Sequence, residues 1–341
     1  MPGLRNPEDK AASAKPAHRV GLSLREKDLM ATTTIAAHGK FEDPRWTRDG
    51  APRASVGLGR LTTLWINTGT LCNLTCANCY IESSPRNDRL AYITADELRV
   101  YLDEIARDGL DTTTIGFTGG EPFMNPYLRP MLEEVLTRGF SALVLTNAMR
   151  PMHKCQSWLT ELKDRFGDRL TLRVSVDHYT RAVHEAERGR QSWQPTIAGL
   201  VWLARNGFSI AIAGRSLTDE PVAMVRQGYA ALLDELGVAL DLDDPTRFML
   251  FPEMDPHAEV PEISEACWGI LKVSPDSVMC ASSRMVVKRK GADAPAVLAC
   301  TLLPYDPQFE LGRTLAEASR PVALNHPHCA RFCVLGGASC G

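Results

Sequence analysis

Between residues 61 and 251 the hydrophobic positions follow two alternating periods. Apolar stretches rich in β-branched residues over 61–67, 112–117, 141–145, 170–176 and 208–213 predict strands, with a sixth at 238–242 or 248–251. Between them, apolar residues recur at helical spacing over 94–107, 128–138, 154–166, 195–205 and 221–236. Thr94-Ala95-Asp96-Glu97 opens the first helix as a capping box. Gly139, Gly167 and Asn206-Gly207 stop three of the others.

Strands that alternate with long helices form a parallel sheet, because each right-handed crossover lays its helix on the outer face. Six such units predict an incomplete barrel rather than a closed eightfold one. The expected fold class is α/β: a partial (β/α)6 TIM-like barrel over 55–255, followed by a small cysteine-rich α+β extension over 256–341. Residues 1–54 are polar, rich in Ala, Pro and Arg and without sustained periodicity, and read as a flexible N-terminal arm.

Composition narrows the function classes. The chain is 44% hydrophobic and 23% charged with a formal net charge of -3, which gives no electrostatic case for nucleic acid or an anionic membrane as partner. No apolar run is long enough to span a bilayer and the first residues lack a secretory core, so a cytoplasmic location is expected. Ten cysteines in such a chain favour metal binding over disulfides. Cys155 stands apart from the others, near Trp158, Leu159 and Leu162, and reads as a buried free thiol.

The candidate chemistry lies where strands end. Cys72, Cys76 and Cys79 follow the first strand as C-x3-C-x2-C, and three thiolates leave an iron–sulfur cluster one open iron, whereas a structural zinc site wants four ligands. Gly119-Gly120-Glu121-Pro122 follows the second strand, Asn147 the third, Ser175 and Asp177 close the fourth, and Arg215 follows the fifth. His178 and His184, just beyond Asp177, read as satisfied polar residues of a loop.

The cysteine loop together with the Gly-Gly-Glu-Pro turn, in this β/α order, resembles the radical SAM superfamily over roughly residues 61–251. The resemblance implies that Cys72, Cys76 and Cys79 hold a 4Fe-4S cluster whose fourth iron binds S-adenosylmethionine (SAM). One electron then breaks the S–C5′ bond, and the 5′-deoxyadenosyl radical takes a hydrogen atom from substrate. It also implies that Gly119 and Gly120 let the backbone approach the methionine part, that Glu121 bonds its amino group, and that Pro122 stiffens the turn. Arg215 suits the SAM carboxylate, while Asn147, Ser175 and Asp177 would wall the site and meet the ribose. Asn78 stands where many members have an aromatic residue; the adenine contact there is largely backbone. A flavodoxin- or ferredoxin-type reductant is implied as partner.

Six further cysteines follow the barrel: Cys267, Cys280, Cys300, Cys329, Cys333 and Cys340. The segment from Cys267 to Cys280 reads as strand, turn, strand, and 285–288 with 297–300 as a hairpin about Gly291-Ala292-Asp293. This region is similar to the SPASM and twitch extensions of radical SAM maturases, which carry auxiliary 4Fe-4S clusters. Six cysteines fall short of a full two-cluster set, so one auxiliary cluster is expected, with a second if a site takes a non-cysteine ligand such as His326 or His328. Spacing alone does not choose iron over zinc here. The expected function is post-translational change of a peptide or protein. The alternatives are a radical SAM enzyme acting on a small metabolite or cofactor precursor, and a non-enzymatic metal-binding scaffold.

Overall fold

The computed structural model describes residues 39–253 and 259–337. The strands are β1 (Ser55–Val56), β2 (Thr63–Asn67), β3 (Thr114–Thr118), β4 (Ser141–Thr146), β5 (Leu170–Ser175), β6 (Ser209–Ser216), β7 (Phe248–Pro252), β8 (Ser283–Val287), β9 (Ala296–Leu298), β10 (Glu310–Gly312) and β11 (Val322–Ala323). The helices are α1 (Ala95–Asp108), α2 (Leu128–Thr137), α3 (Arg150–His153), α4 (Gln156–Phe166), α5 (Arg181–Arg188), α6 (Trp193–Arg205), α7 (Val222–Leu236) and α8 (Cys267–Leu271). Among the described residues, nine strands form one sheet in the order β10-β9-β8-β2-β3-β4-β5-β6-β7, and β1 pairs separately with β11. From β8 across to β7 every pairing is parallel. The six predicted βα units are therefore present, and their sheet is covered by helices as a parallel sheet requires.

Local chemistry sets the boundaries. Thr94 and Glu97 bond reciprocally across the first turn of α1, so the capping box is realised, and Gly109 ends that helix in the left-handed region at φ 60°. The sixth strand is 248–252 rather than 238–242. Asp244 bonds the backbone of Thr246 and draws the segment before β7 into a turn.

Three expectations change. Residues 39–54 belong to the folded body: Arg53 is buried, its guanidinium 2.5 Å from the Glu262 carboxylate, and Ala54 is fully enclosed. Whatever part of the arm reading concerns residues 1–38 lies outside the described residues. The strand–turn–strand expected between Cys267 and Cys280 is instead the short helix α8 and two single 3-10 turns. Lys272 reverses the chain at φ 56°, and Ser274 with Pro275 starts a new turn that offers no edge to pair. Cys155 is half-buried at the start of α4 rather than fully enclosed. The hairpin about Gly291 is present, with β8 and β9 antiparallel, and it extends the barrel sheet beside β2.

Candidate active site

The ends of β2 through β7 open onto one cavity of about 190 Å³. Ten of the residues singled out in the sequence line it: Cys72, Cys76, Asn78, Cys79, Gly119, Gly120, Asn147, Ser175, Asp177 and Arg215. Glu121 and Pro122 do not. Thr301, Leu302 and Phe332 of the C-terminal region close the cavity from the other side. Tyr80, one residue past the last cysteine of the loop, meets Phe332 edge-on at 6.4 Å, and Phe332 stacks on Phe251 at 5.4 Å.

The Gly-Gly-Glu-Pro turn braces the cysteine loop. Gly120 N–H donates to the Gly69 carbonyl at 2.8 Å and Glu121 N–H to the Leu71 carbonyl at 3.1 Å. A Cβ on Gly120 would overlap the Leu71 carbonyl, and Gly119 sits at φ 127° where a side chain is strained. The glycines are thus required by the close approach of two protein segments. Glu121 turns away from the cavity and accepts from the Thr146 hydroxyl and Asn147 N–H, each at 2.9 Å, and from Phe123 N–H at 3.2 Å. Burial pushes its carboxyl up to about 7, against the pull of these donors. Its role is to fix the end of β4. Asn147 in turn donates to the Asn73 side chain at 3.0 Å, tying β4 to the cysteine loop. Ala148 adopts φ 56°, the conformation for which a glycine would be the easy choice.

Two residues at the end of α5 were not legible in the sequence. Arg188 lines the cavity and grips Asp177 with two bonds of 2.7 and 2.8 Å, so Asp177 is held by an arginine rather than open on both oxygens. Glu187 is buried and accepts from the Asn78 backbone at 2.9 Å and from the Asn78 side chain at 3.1 Å, while its own carbonyl accepts from Ala77 N–H at 2.8 Å. Arg215 reaches the cavity but is committed to Glu187 at 2.5 Å, Glu253 at 3.0 Å and the Asn78 carbonyl at 3.1 Å. Ala182, Val183 and Ala186 give α5 an amphipathic pattern, but the residues it buries are His184 and Glu187 while Ala182 and Ala186 are exposed, so the apolar spacing does not mark the functional face. His178 is satisfied by Thr180 and Glu220, and His184 is fully enclosed within α5.

Burial also acts on the thiols of the loop. Burial pushes Cys72 up to about 12 and Cys76 up to about 11, so neither is a thiolate at neutral pH without a compensating positive charge. Among the described residues no three His, Cys, Asp or Glu side chains already stand at metal-ligating spacing. The fit therefore rests on three soft thiol donors lining one cavity.

A second, smaller cavity gathers Cys280, Cys300, Cys329 and Cys333 with His328. Burial pushes Cys280 up to about 11 and Cys329 well above the ordinary thiol range, while it lowers His328 to about 4 and keeps that imidazole neutral. Cys267 is not among the lining residues and instead neighbours Ser264 at 3.5 Å. Cys340 lies outside the described residues. Leu302 lines both cavities.

Known proteins agree with this architecture. The chain is 30% identical over 143 residues to the antilisterial bacteriocin subtilosin biosynthesis protein AlbA of Bacillus subtilis, covering 42% of this chain and 30% of that protein. It is 26% identical over 169 residues to the mycofactocin maturase MftC of Mycobacterium ulcerans, covering 50% and 43% respectively. The chain thus spans less than half the length of these curated relatives. The solved structure of Streptococcus suis SuiB bound to S-adenosylmethionine shares the fold at TM-score 0.54 and 12% identity, over 74% of this chain and 63% of that one. The family model of the radical SAM superfamily matches residues 66–227, a span that contains Cys72, Cys76, Cys79 and the Gly-Gly-Glu-Pro turn. Residues 66–227 of this chain belong to the radical SAM superfamily.

Proposed function

We propose that this protein is a radical SAM enzyme that modifies a peptide. Cys72, Cys76 and Cys79 would hold a 4Fe-4S cluster, which when bound supplies the electron for reductive cleavage of SAM. The chain's own part is positional. Glu187 and Asn147 fix the cysteine loop from two sides, and Gly119 and Gly120 seat it against β3. Ser175 and Asp177 offer polar atoms at the ends of β5, and Arg188 presents a cation to the same wall. Arg188 is paired with Asp177 through two bonds, whereas Arg215, paired with Glu187 and Glu253, keeps a buried Nε without a partner that would suit a SAM carboxylate. Cys280, Cys300, Cys329 and Cys333 would hold one auxiliary 4Fe-4S cluster, with Cys267 outside its ligand set.

The observation that carries the reading is the shared wall: cysteine loop, glycine turn and strand-end polar residues on one cavity, with a second cysteine group on a smaller cavity that also borders Leu302. Support for a peptide substrate comes from the relatives, whose names describe a bacteriocin biosynthesis protein and a maturase. The SuiB fold has also been solved bound to its precursor peptide SuiA, at TM-score 0.52. A flavodoxin- or ferredoxin-type protein would supply the electron.

The experiment is anaerobic reconstitution of the full chain with iron and sulfide, addition of SAM and dithionite, and detection of 5′-deoxyadenosine. A peptide encoded beside the gene is then added and its mass followed. A mass change that depends on SAM supports the reading; turnover confined to small molecules replaces the peptide with a metabolite.

A further inference from the structure

Arg284, in β8, is among the largest side chains that the fold encloses, at 1% exposed. A guanidinium keeps its charge at any ordinary pH, so this is a permanent buried cation. Its Nε donates to the Ala318 carbonyl at 2.7 Å, Nη1 to the Cys280 and Ser283 carbonyls at 2.5 and 2.8 Å, and Nη2 to the Arg320 carbonyl at 3.5 Å. Those bonds occupy its N–H groups and leave its charge unanswered. Among the described residues no carboxylate pairs with it, whereas Arg53, Arg188 and Arg215 each meet one. A buried charge without a counterion is costly, and an anion beside Arg284 would offset that cost.

The second cysteine group can supply that anion. Arg284 bonds the backbone of Cys280, whose thiol lines the smaller cavity with Cys300, Cys329 and Cys333. Burial raises the Cys280 thiol, and the Arg284 charge is the largest influence opposing it. The rest of that wall is mainly apolar, with Val278, Leu303 and Phe309, and no lysine or arginine lines it. Arg331, between Cys329 and Cys333 in the chain, is half-buried, so solvent shares its field. Metal binding takes cysteines as thiolates, which brings negative charge up to Arg284. An electron added to a cluster held by four thiolates makes the centre more negative still.

We infer that Arg284 is the fixed countercharge of the second cysteine group, set behind Cys280 to stabilise a cluster there in its reduced form. The step is the gain of one electron from a flavodoxin- or ferredoxin-type donor, with no bond or proton changing place. A fixed cation favours the more negative product. The inference rests on the auxiliary cluster proposed above. A wild-type tail with no reducible iron–sulfur signal defeats that reading and the inference with it, whereas a signal whose potential ignores Arg284 defeats the inference alone. The experiment is a dithionite redox titration of the full reconstituted chain followed by electron paramagnetic resonance. The tail signal is the one that persists when Cys72, Cys76 and Cys79 are replaced by Ala. Arg284→Gln keeps a donor for the carbonyls and removes the charge. Expected is about a tenfold fall in the reduced-to-oxidised ratio of the tail cluster at fixed potential, about 59 mV for one electron, with the loop cluster unmoved. Arg284→Lys keeps the charge and should stay within about twofold of the wild type. Loss of tail iron from Arg284→Gln alone, with Arg284→Lys loaded at the wild-type potential, would also support the inference. An unchanged potential in Arg284→Gln, an equal shift in Arg284→Lys, or loss of tail iron from both variants would each overturn it, the last two by leaving Arg284 only its carbonyl bonds.

Discussion

The Glu187 carboxylate takes both the backbone N–H of Asn78, at 2.9 Å, and its side-chain amide, at 3.1 Å, directly before the cysteine Cys79. The same carboxylate holds Arg215 at 2.5 Å. One buried acid at the end of α5 thus sets both the third thiol of the loop and the arginine behind it. Glu187→Ala leaves Arg215 with the Glu253 carboxylate and the Asn78 carbonyl, and releases the Asn78 N–H and side-chain amide. We predict a loss of about 3 kcal/mol in unfolding free energy, since breaking a buried pair strands its partner. Iron retention and the electron paramagnetic resonance line shape of the reduced cluster should also change, with Glu187→Gln intermediate because it still accepts from Asn78 N–H. Wild-type iron content and spectrum in Glu187→Ala would refute this.

Arg53 and Glu262 make a similar demand far from the cavity. Arg53→Ala should lower stability by about 3 kcal/mol, because Glu262 is left buried with only the Phe41 and Arg48 N–H groups. Urea unfolding should show a lower midpoint at an unchanged slope. A midpoint that does not move would return residues 39–54 to the status of an arm.

His184 predicts an acid limb in stability. Burial first, and the Arg188 charge second, lower its pKa from 6.5 to about 4, and its Nδ1 accepts from Asp177 N–H at 3.3 Å as a neutral ring must. A base whose folded pKa is depressed contributes stability that is present above its unfolded pKa and lost as pH falls toward the folded value. Unfolding free energy should therefore drop between pH 6.5 and 4 by roughly 3 kcal/mol at most, at about 1.4 kcal/mol per unit. His184→Gln keeps an acceptor for Asp177 and should flatten that limb. An equal slope in the variant would assign the acid sensitivity elsewhere.

The tail offers a contrast within one set of cysteines. Replacing Cys280, Cys300, Cys329 and Cys333 together by Ala should remove about four irons per chain, the content of one cluster. Cys267→Ala should remove none, because that thiol is not on the shared wall. Loss of iron from Cys267→Ala would restore it as a ligand.

The barrel was legible because each of its strands and helices carries its own period and its own stop, as Thr94 with Glu97 and Gly109 illustrate. The site was legible where a residue type has few other uses at a strand end, as for the cysteine loop and Gly119-Gly120. The partnerships were not. Glu121, expected at the SAM amino group, bonds Thr146 and Asn147 at the end of β4, and Arg215, expected at the SAM carboxylate, pairs with Glu187 and Glu253. Such outcomes depend on which carboxylate folds against which cation across more than twenty residues. Glu187 and Arg188 were missed because the apolar positions of α5, Ala182 and Ala186, face solvent while His184 and Glu187 are enclosed. The segment after Cys267 misled because its alternation is real, yet Lys272 and Pro275 break it before an edge forms.

The central claim is that the three-cysteine loop binds a cluster that cleaves SAM. Its direct test is Cys72→Ala, Cys76→Ala and Cys79→Ala combined, reconstituted without oxygen beside the wild type, with irons counted and 5′-deoxyadenosine measured after reduction. The account predicts that about four irons are lost, that the tail keeps its own, and that 5′-deoxyadenosine disappears. Continued formation of 5′-deoxyadenosine by the triple variant would contradict it.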